Sequence, residues 1–231
     1  RLIGFGFDSP TATLVGRNLE LLPQGVRFTA ACGGEDHLGE LQGPGRHNAL
    51  NALAALGAVH AIGVPLADAV AALARFVGLK RRLETIGTAG GVTVIDDFAH
   101  NPDKIDASLA TLRAQPGRLL IMFQPHGYGP LAKMGDELAE SFAGVMNGED
   151  RLFLADPVYQ GGTVERSRGS DWFATEVAKR GAQAEHIPER AKTGEGRVAE
   201  AQRGDRILSM GARDDTLIDF ARELVERFDP S

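Results

Sequence analysis

The rhythm of apolar and polar positions changes near residue 43. Before it, short apolar runs at residues 2–7, 11–15, 26–31 and 38–42 are separated by Asp8-Ser9-Pro10, Leu22-Pro23-Gln24-Gly25 and Cys32-Gly33-Gly34-Glu35-Asp36. Those separators are turn-formers that break strands. The pattern predicts an antiparallel meander of short strands, too small to stand alone as a domain. Residues 46–76 are rich in Ala and Leu with helical spacing. A helix from 46 to about 62 would place Leu50, Leu53, Ala54 and Gly57 on one face, and Gly63-Val64-Pro65 would stop it. A second helix over 66–76 would turn Val70, Leu73 and Phe76 inward. Residues 77–81 read as a hinge.

From Arg82 onward the pattern is strand, then helix, repeated. Strands are predicted at 92–97, 119–123, 152–155, 184–187 and 207–210, with 83–88 as a possible edge strand beside the first. Helices are predicted at 102–114, 131–143, 171–179, 191–201 and 216–227. Several strands are unbroken apolar runs, as expected where both faces of a sheet are covered. Such alternation predicts an α/β fold with a mostly parallel six-stranded sheet and right-handed crossovers. Residues 157–170 form a long, polar, Gly-containing loop.

Composition narrows the function classes. The 231 residues include 25 Lys and Arg against 31 Asp and Glu, a net charge of −6. That balance argues against a nucleic-acid coat, which needs clustered cations. No apolar run approaches the length of a membrane span, and no signal peptide is visible. The single cysteine, Cys32, excludes an internal disulfide and a Cys-based zinc cluster. A reducing cytoplasm is the expected setting. The first residue is Arg rather than Met, so a piece of a longer protein is expected.

Ligands of open α/β sheets sit beyond the carboxyl ends of the strands, so those ends hold the candidate residues. The first reads Asp96-Asp97-Phe98-Ala99-His100-Asn101-Pro102. Asp97 could accept hydrogen bonds from ribose hydroxyls; alternatively Asp96 or Asp97 caps the helix that begins at Pro102. The second ends in Phe123-Gln124-Pro125-His126, where His126 could meet a phosphate or a substrate acid. The third ends at Asp156, which reads as a turn residue. The last ends in Gly211-Ala212-Arg213, where Arg213 could hold an anion. Ahead of the sheet, Gly43-Pro44-Gly45-Arg46-His47-Asn48 opens the first helix. Asn48 and Asn51 would share a face there and could read an adenine edge, or Asn48 could be a plain N-cap. Arg81 and Arg82 in the hinge could clamp a phosphate, or form an exposed basic pair.

In order along the chain, Gly-x-x-His-Asn-x-x-Asn, Phe-x-Gly-x-x-x-Arg-Arg-x-Glu, Asp-Asp-Phe-Ala-His-Asn-Pro and Phe-Gln-Pro-His resemble the Mur ligase superfamily. These enzymes form amide bonds with ATP during assembly of the peptidoglycan stem peptide. The resemblance runs from about residue 25 to residue 228. Gln124-Pro125-His126 and Asp156-Pro157-Val158-Tyr159 look most like the branch that adds L-alanine to UDP-N-acetylmuramate, with the murein-peptide-recycling branch close by. Ala99-His100-Asn101-Pro102 looks more like folylpolyglutamate and cyanophycin synthetases. The resemblance implies residues 1–77 as the end of a central ATP-binding domain and residues 78–231 as a Rossmann-like C-terminal ligase domain.

It also implies roles. His47, Asn48 and Asn51 would meet the adenine side of ATP, and Asp97 the ribose. Arg82 or Arg81 would reach the phosphates. His100, His126 and Arg213 would surround the incoming amine, with Arg82 and His100 the catalytic candidates. ATP and Mg²⁺ would be required, with a UDP-N-acetylmuramate-type acceptor and an amino acid or peptide as substrates, and no nucleic-acid or membrane partner. The sequence departs from the family in holding no G-x-x-G-K-[ST] loop and no central-domain metal ligands. A basic residue usual after Gln-Pro-His is Gly127, a second arginine is Pro130, and the glycine-rich turn near the end carries Arg213. The expected consequence is an inactive chain when isolated, with a free-standing nucleotide-binding or regulatory module as the alternative.

Overall fold

The computed structural model describes residues 3–158, 165–192, 194, 200–212 and 214–228. The chain divides into two compact units, Arg1–Lys80 and Arg81–Ser231.

The first unit is a four-stranded sheet backed by two helices. Its strands are β1 (Phe5–Phe7), β2 (Leu14–Leu22), β3 (Gly25–Cys32) and β4 (Glu35–Gln42), in that spatial order. β2, β3 and β4 pair antiparallel, as the turn residues predict. β1 instead runs parallel to β2, with Phe5 opposite Leu14. The expected all-antiparallel meander is therefore corrected at its first strand. Three residues extend only about 10 Å, so the short connection over residues 8–13 can carry the chain back to its starting level. Helices α1 (Arg46–Ala61) and α2 (Leu66–Leu73) cover the sheet. Ala49, Ala52, Leu53 and Leu56 of α1 are buried against Leu14, Val26 and Phe28. Packing is close at Gly16. A Cβ there would lie 2.5 Å from the Phe7 ring and 2.7 Å from Leu53 Cδ1.

Two expectations about these helices are corrected. Leu50 is 43% exposed, and the buried stripe of α1 is displaced toward its alanines. Helix α2 ends at Leu73, leaving Phe76 outside it and exposed. Val70 is buried and Leu73 packs against the same core as expected, and Leu66 and Ala69 join them.

The second unit holds β5 (Glu84–Ala89), β6 (Val92–Asp97), α3 (Pro102–Arg113), β7 (Leu119–Gln124), α4 (Tyr128–Val145), β8 (Arg151–Leu154), α5 (Ser170–Lys179), β9 (Ala184–His186), β10 (Arg206–Gly211) and α6 (Leu217–Phe228). The helix expected over residues 191–201 lies largely outside the described residues. The six strands lie in the order β5-β6-β10-β7-β8-β9. All neighbours are parallel except the β5–β6 hairpin. The last strand thus sits in the middle of the sheet, and all six of its residues are buried. Side chains alternate between two cores, as the two-residue period of a strand requires. Ile95, Ile121, Phe123, Leu154 and Leu208 pack under α3, α4 and α5. Val94, Leu120, Met122, Phe153 and Ile207 pack under α6.

Candidate functional site

The carboxyl ends of β6, β10 and β7 form one row. Asp97 is in register with Met210, Met210 with Phe123, and Gly211 with Gln124. After β6 the chain passes through α3 to β7, on the far side of β10. After β10 it turns back, and α6 packs on β5 and β6. Opposed connections of this kind open a crevice at the strand ends. Gly211 keeps that crevice narrow: a Cβ would lie 2.9 Å from Gln124 O and 3.0 Å from Leu217 Cδ1. Gly211→Ala is therefore expected to lower stability by about 1–3 kcal/mol. Urea denaturation would check this, and a wild-type midpoint would refute it.

Neither Asp96 nor Asp97 caps α3. Asn101 does, its Oδ1 accepting from Lys104 N at 3.1 Å, with Pro102 in the first turn. The two aspartates project to opposite faces of β6. Both are almost wholly buried, and burial pushes both carboxyls above the usual carboxylate range. Hydrogen bonds from Ser108 and from the Leu83 and Phe98 backbone, with the charge of Arg82, offset part of this for Asp97. Among the described residues Asp97 Oδ2 has no hydrogen-bond partner, and neither has Asp96 Oδ1, whose other oxygen is held by Arg81. An unsatisfied buried carboxylate oxygen at the mouth of a crevice is a ready acceptor for a ligand donor.

Four of the expected residues, Arg81, Arg82, His100 and His126, lie in the segments that precede β5 and follow β6 and β7. His100 Nδ1 lies 2.8 Å from Phe98 O. A carbonyl only accepts, so Nδ1 carries the proton and, in the neutral ring, Nε2 is left as the base. The His100 and His126 rings lie 5.6 Å apart, tilted by 42°. Arg82 is exposed, 5.7 Å from the Phe98 ring centroid. Arg81 is turned inward, its Nε donating to Asp96 Oδ2 at 3.0 Å and its Nη2 to Gly211 O at 3.2 Å. Arg213 lies outside the described residues.

In the first unit, α1 begins at Gly45, a glycine N-cap with φ of 102° and no side-chain cap. Asn48 is therefore not the N-cap; its Nδ2 donates to Pro44 O at 2.8 Å and staples the loop to the helix. His47 is half-buried and Asn51 exposed.

A network not anticipated from the sequence spans the β7 and β10 ends. Arg190 donates to Gln124 Oε1 at 3.2 Å, to Asp214 Oδ2 at 2.5 Å and to Thr216 Oγ1 at 2.6 Å. Burial pushes Asp214 up, but hydrogen bonds from Thr216 and Arg190 outweigh it and hold the carboxyl below its usual range. His186 pairs with Asp156 at 2.7 Å beside it. Only Gln124 of this network falls in a recognisable motif. Arg190 stands at the very start of a helical segment, where its own position in sequence gives no sign of the partners it reaches. Among the described residues no group of three or more His, Cys, Asp or Glu could hold a metal ion. No helix among them is long and apolar enough to cross a membrane.

Residues 81–213 match the family described as Mur ligase, glutamate ligase domain. A UDP-N-acetylmuramate–L-alanine ligase of Desulforamulus reducens is 32% identical over 232 residues, covering 98% of this chain and 47% of the relative. One from Streptomyces coelicolor is 41% identical over 131 residues, covering 55% of this chain and 28% of the relative. Among solved structures, a UDP-N-acetylmuramate–alanine ligase of Thermotoga maritima superposes with a TM-score of 0.74 at 23% identity, over 96% of this chain and 47% of that one. A murein peptide ligase of Psychrobacter arcticus gives 0.65 at 23% identity, over 98% of this chain and 46% of that one. The chain belongs to the Mur ligase family. It spans about half the length, or less, of the curated relatives it matches.

Proposed function

We propose that the protein carrying this chain is an ATP-dependent ligase of peptidoglycan synthesis or recycling that joins an amino acid or peptide to UDP-N-acetylmuramate. The observation that carries the reading is the buried, unpartnered Asp97 Oδ2 at the carboxyl end of β6, with the exposed Arg82 guanidinium beside it. In this reading residues 1–77 close a central nucleotide-binding domain and residues 78–231 form the C-terminal ligase domain. His47, Asn48 and Asn51 meet adenine, Asp97 accepts from the ribose hydroxyls, and Arg82 neutralises charge on the phosphates. The acceptor carboxylate attacks the γ-phosphorus and ADP leaves. The amine then attacks the acyl phosphate carbon, phosphate departs, and His100 Nε2 takes the amine proton. His126 and Arg213 hold the incoming amine substrate. Positioning and charge neutralisation supply most of the catalysis.

The chain by itself has no G-x-x-G-K-[ST] loop, so it is expected to release no ADP when purified alone. The complete gene product should release ADP only with UDP-N-acetylmuramate and one member of a panel of amino acids and short peptides. ADP release by the isolated chain, abolished by Asp97→Ala, would contradict the first expectation. Nucleotide binding by the complete product without ligation of any amine would replace the ligase reading with that of a binding or regulatory module.

A further inference from the structure

Arg81 and Leu83 have φ of 58° and 48°, left-handed values that residues with a Cβ seldom adopt. Such strain persists only where the surroundings fix it. Here they do so at the backbone N–H, the carbonyl and two of the three guanidinium nitrogens of Arg81. Its N–H donates to Glu84 Oε2 at 2.7 Å. Its carbonyl accepts from Phe98 N at 2.8 Å. Its guanidinium bonds Asp96, which is fully buried, and Gly211 O. Nη1 lies 3.5 Å from Asp215 Oδ1, and the whole group sits 5.0 Å from the Phe98 ring centroid. One side chain therefore ties the segment before β5 to the ends of β6 and β10 and to the turn before α6. Between the two left-handed residues stands Arg82, exposed, with its charge acting on Asp97.

We infer that Arg81 is a latch: a positioning residue that fixes the backbone around Arg82 so that the Arg82 guanidinium is held in place for the nucleotide phosphates. This rests on the role given to Arg82 under the proposed function. A guanidinium presented from a fixed backbone loses less freedom on engaging its ligand than one on a free connection. Arg81 itself is poorly placed for a phosphate, since Nε and Nη2 are engaged by Asp96 and Gly211 and the remaining nitrogen, Nη1, is buried.

Two measurements test this. The first is a double-mutant cycle on ATP-dependent ligation by the complete gene product. Arg81→Gln, which loses the guanidinium's bonds to Asp96 and Gly211, is expected to lower kcat/KM for ATP about tenfold through lost positioning. In an Arg82→Ala background the same change should have no further effect. Additive losses would overturn the latch, because Arg81 would then act independently of Arg82. The second uses the 231-residue chain and needs no activity. Trypsin must seat the Arg81 side chain to cut the Arg81–Arg82 bond, and the latch withholds it. Asp96→Asn should speed that cut about tenfold relative to the cut after the exposed Arg75, with Asp96→Ser as a second variant should the first fold poorly. Unchanged relative cutting would overturn the latch. If the complete product performs no ligation, the ligase reading falls and the trypsin result alone decides the latch.

Discussion

Asp97→Asn is expected to stabilise the chain at neutral pH while costing the complete protein its ATP-dependent activity. The carboxyl is 2% exposed, and burial raises its pKa despite the donors of Ser108, Leu83 and Phe98 and the charge of Arg82. Between the ordinary carboxylate value and this raised one, the folded protein keeps a proton that the unfolded chain has released. Stability therefore falls as pH rises through that window, and the full penalty persists above it. Asparagine removes the charge and keeps one carbonyl oxygen for the existing donors. A gain of about 1 kcal/mol at pH 7 is expected, shrinking as pH is lowered into the carboxylate range. Function should move the other way. The ribose hydroxyls would lose a charged acceptor, worth about 1.5–3 kcal/mol, or roughly 10- to 150-fold in kcat/KM for ATP. Melting curves at pH 5 and pH 7.5, with ATP kinetics on the complete product, would check both halves. A lower melting temperature at both pH values would show Asp97 to be structural. A site that costs stability is the expected signature of a group kept for its ligand.

The sequence carried the α/β architecture because its signals are local. Val92–Asp97 is observed with the predicted bounds, since an apolar run followed by Asn101-Pro102 leaves little choice of where strand ends and helix begins. Sheet order was not legible. That β10 enters between β6 and β7 is set by packing between residues more than 80 positions apart. The phase of α1 failed for a different reason. In Arg46–Ala61 leucine and alanine are spread around the helix, so leucine position misleads and the small Ala49 and Ala52 decide which side packs closely. At the site, Asp97, His100 and His126 could be read from strand ends. The split between Arg81 and Arg82 could not. Two adjacent arginines look alike in sequence, and only the buried Asp96 draws one of them inward. Arg190 was missed because its partners, Gln124 at the end of β7 and Asp214 and Thr216 in the turn before α6, are far from it in sequence.

Asp150→Ala is expected to do the most damage to the fold, at the sheet edge opposite the crevice. Asp150 is fully buried like Asp96, but its oxygens are used differently. Oδ1 accepts from Leu119 N at 2.8 Å, where β7 begins, and Oδ2 from Asn147 N at 2.8 Å, just after α4. Oδ2 also pairs with Arg113 in the last turn of α3. One carboxylate thus joins the exits of two helices to the entry of a central strand. Truncation leaves two backbone donors and a partly buried guanidinium without their acceptor, which should cost about 3–5 kcal/mol. Asp150→Asn should lose less, since one oxygen can still accept from Leu119. Urea melts of both variants would rank them, and a loss below about 1 kcal/mol for alanine would refute the role given to the carboxylate. The contrast with Asp97 is one of satisfaction rather than burial. A buried aspartate whose acceptor sites are filled by the chain stabilises it, and one with an oxygen left open destabilises it and is free for a ligand.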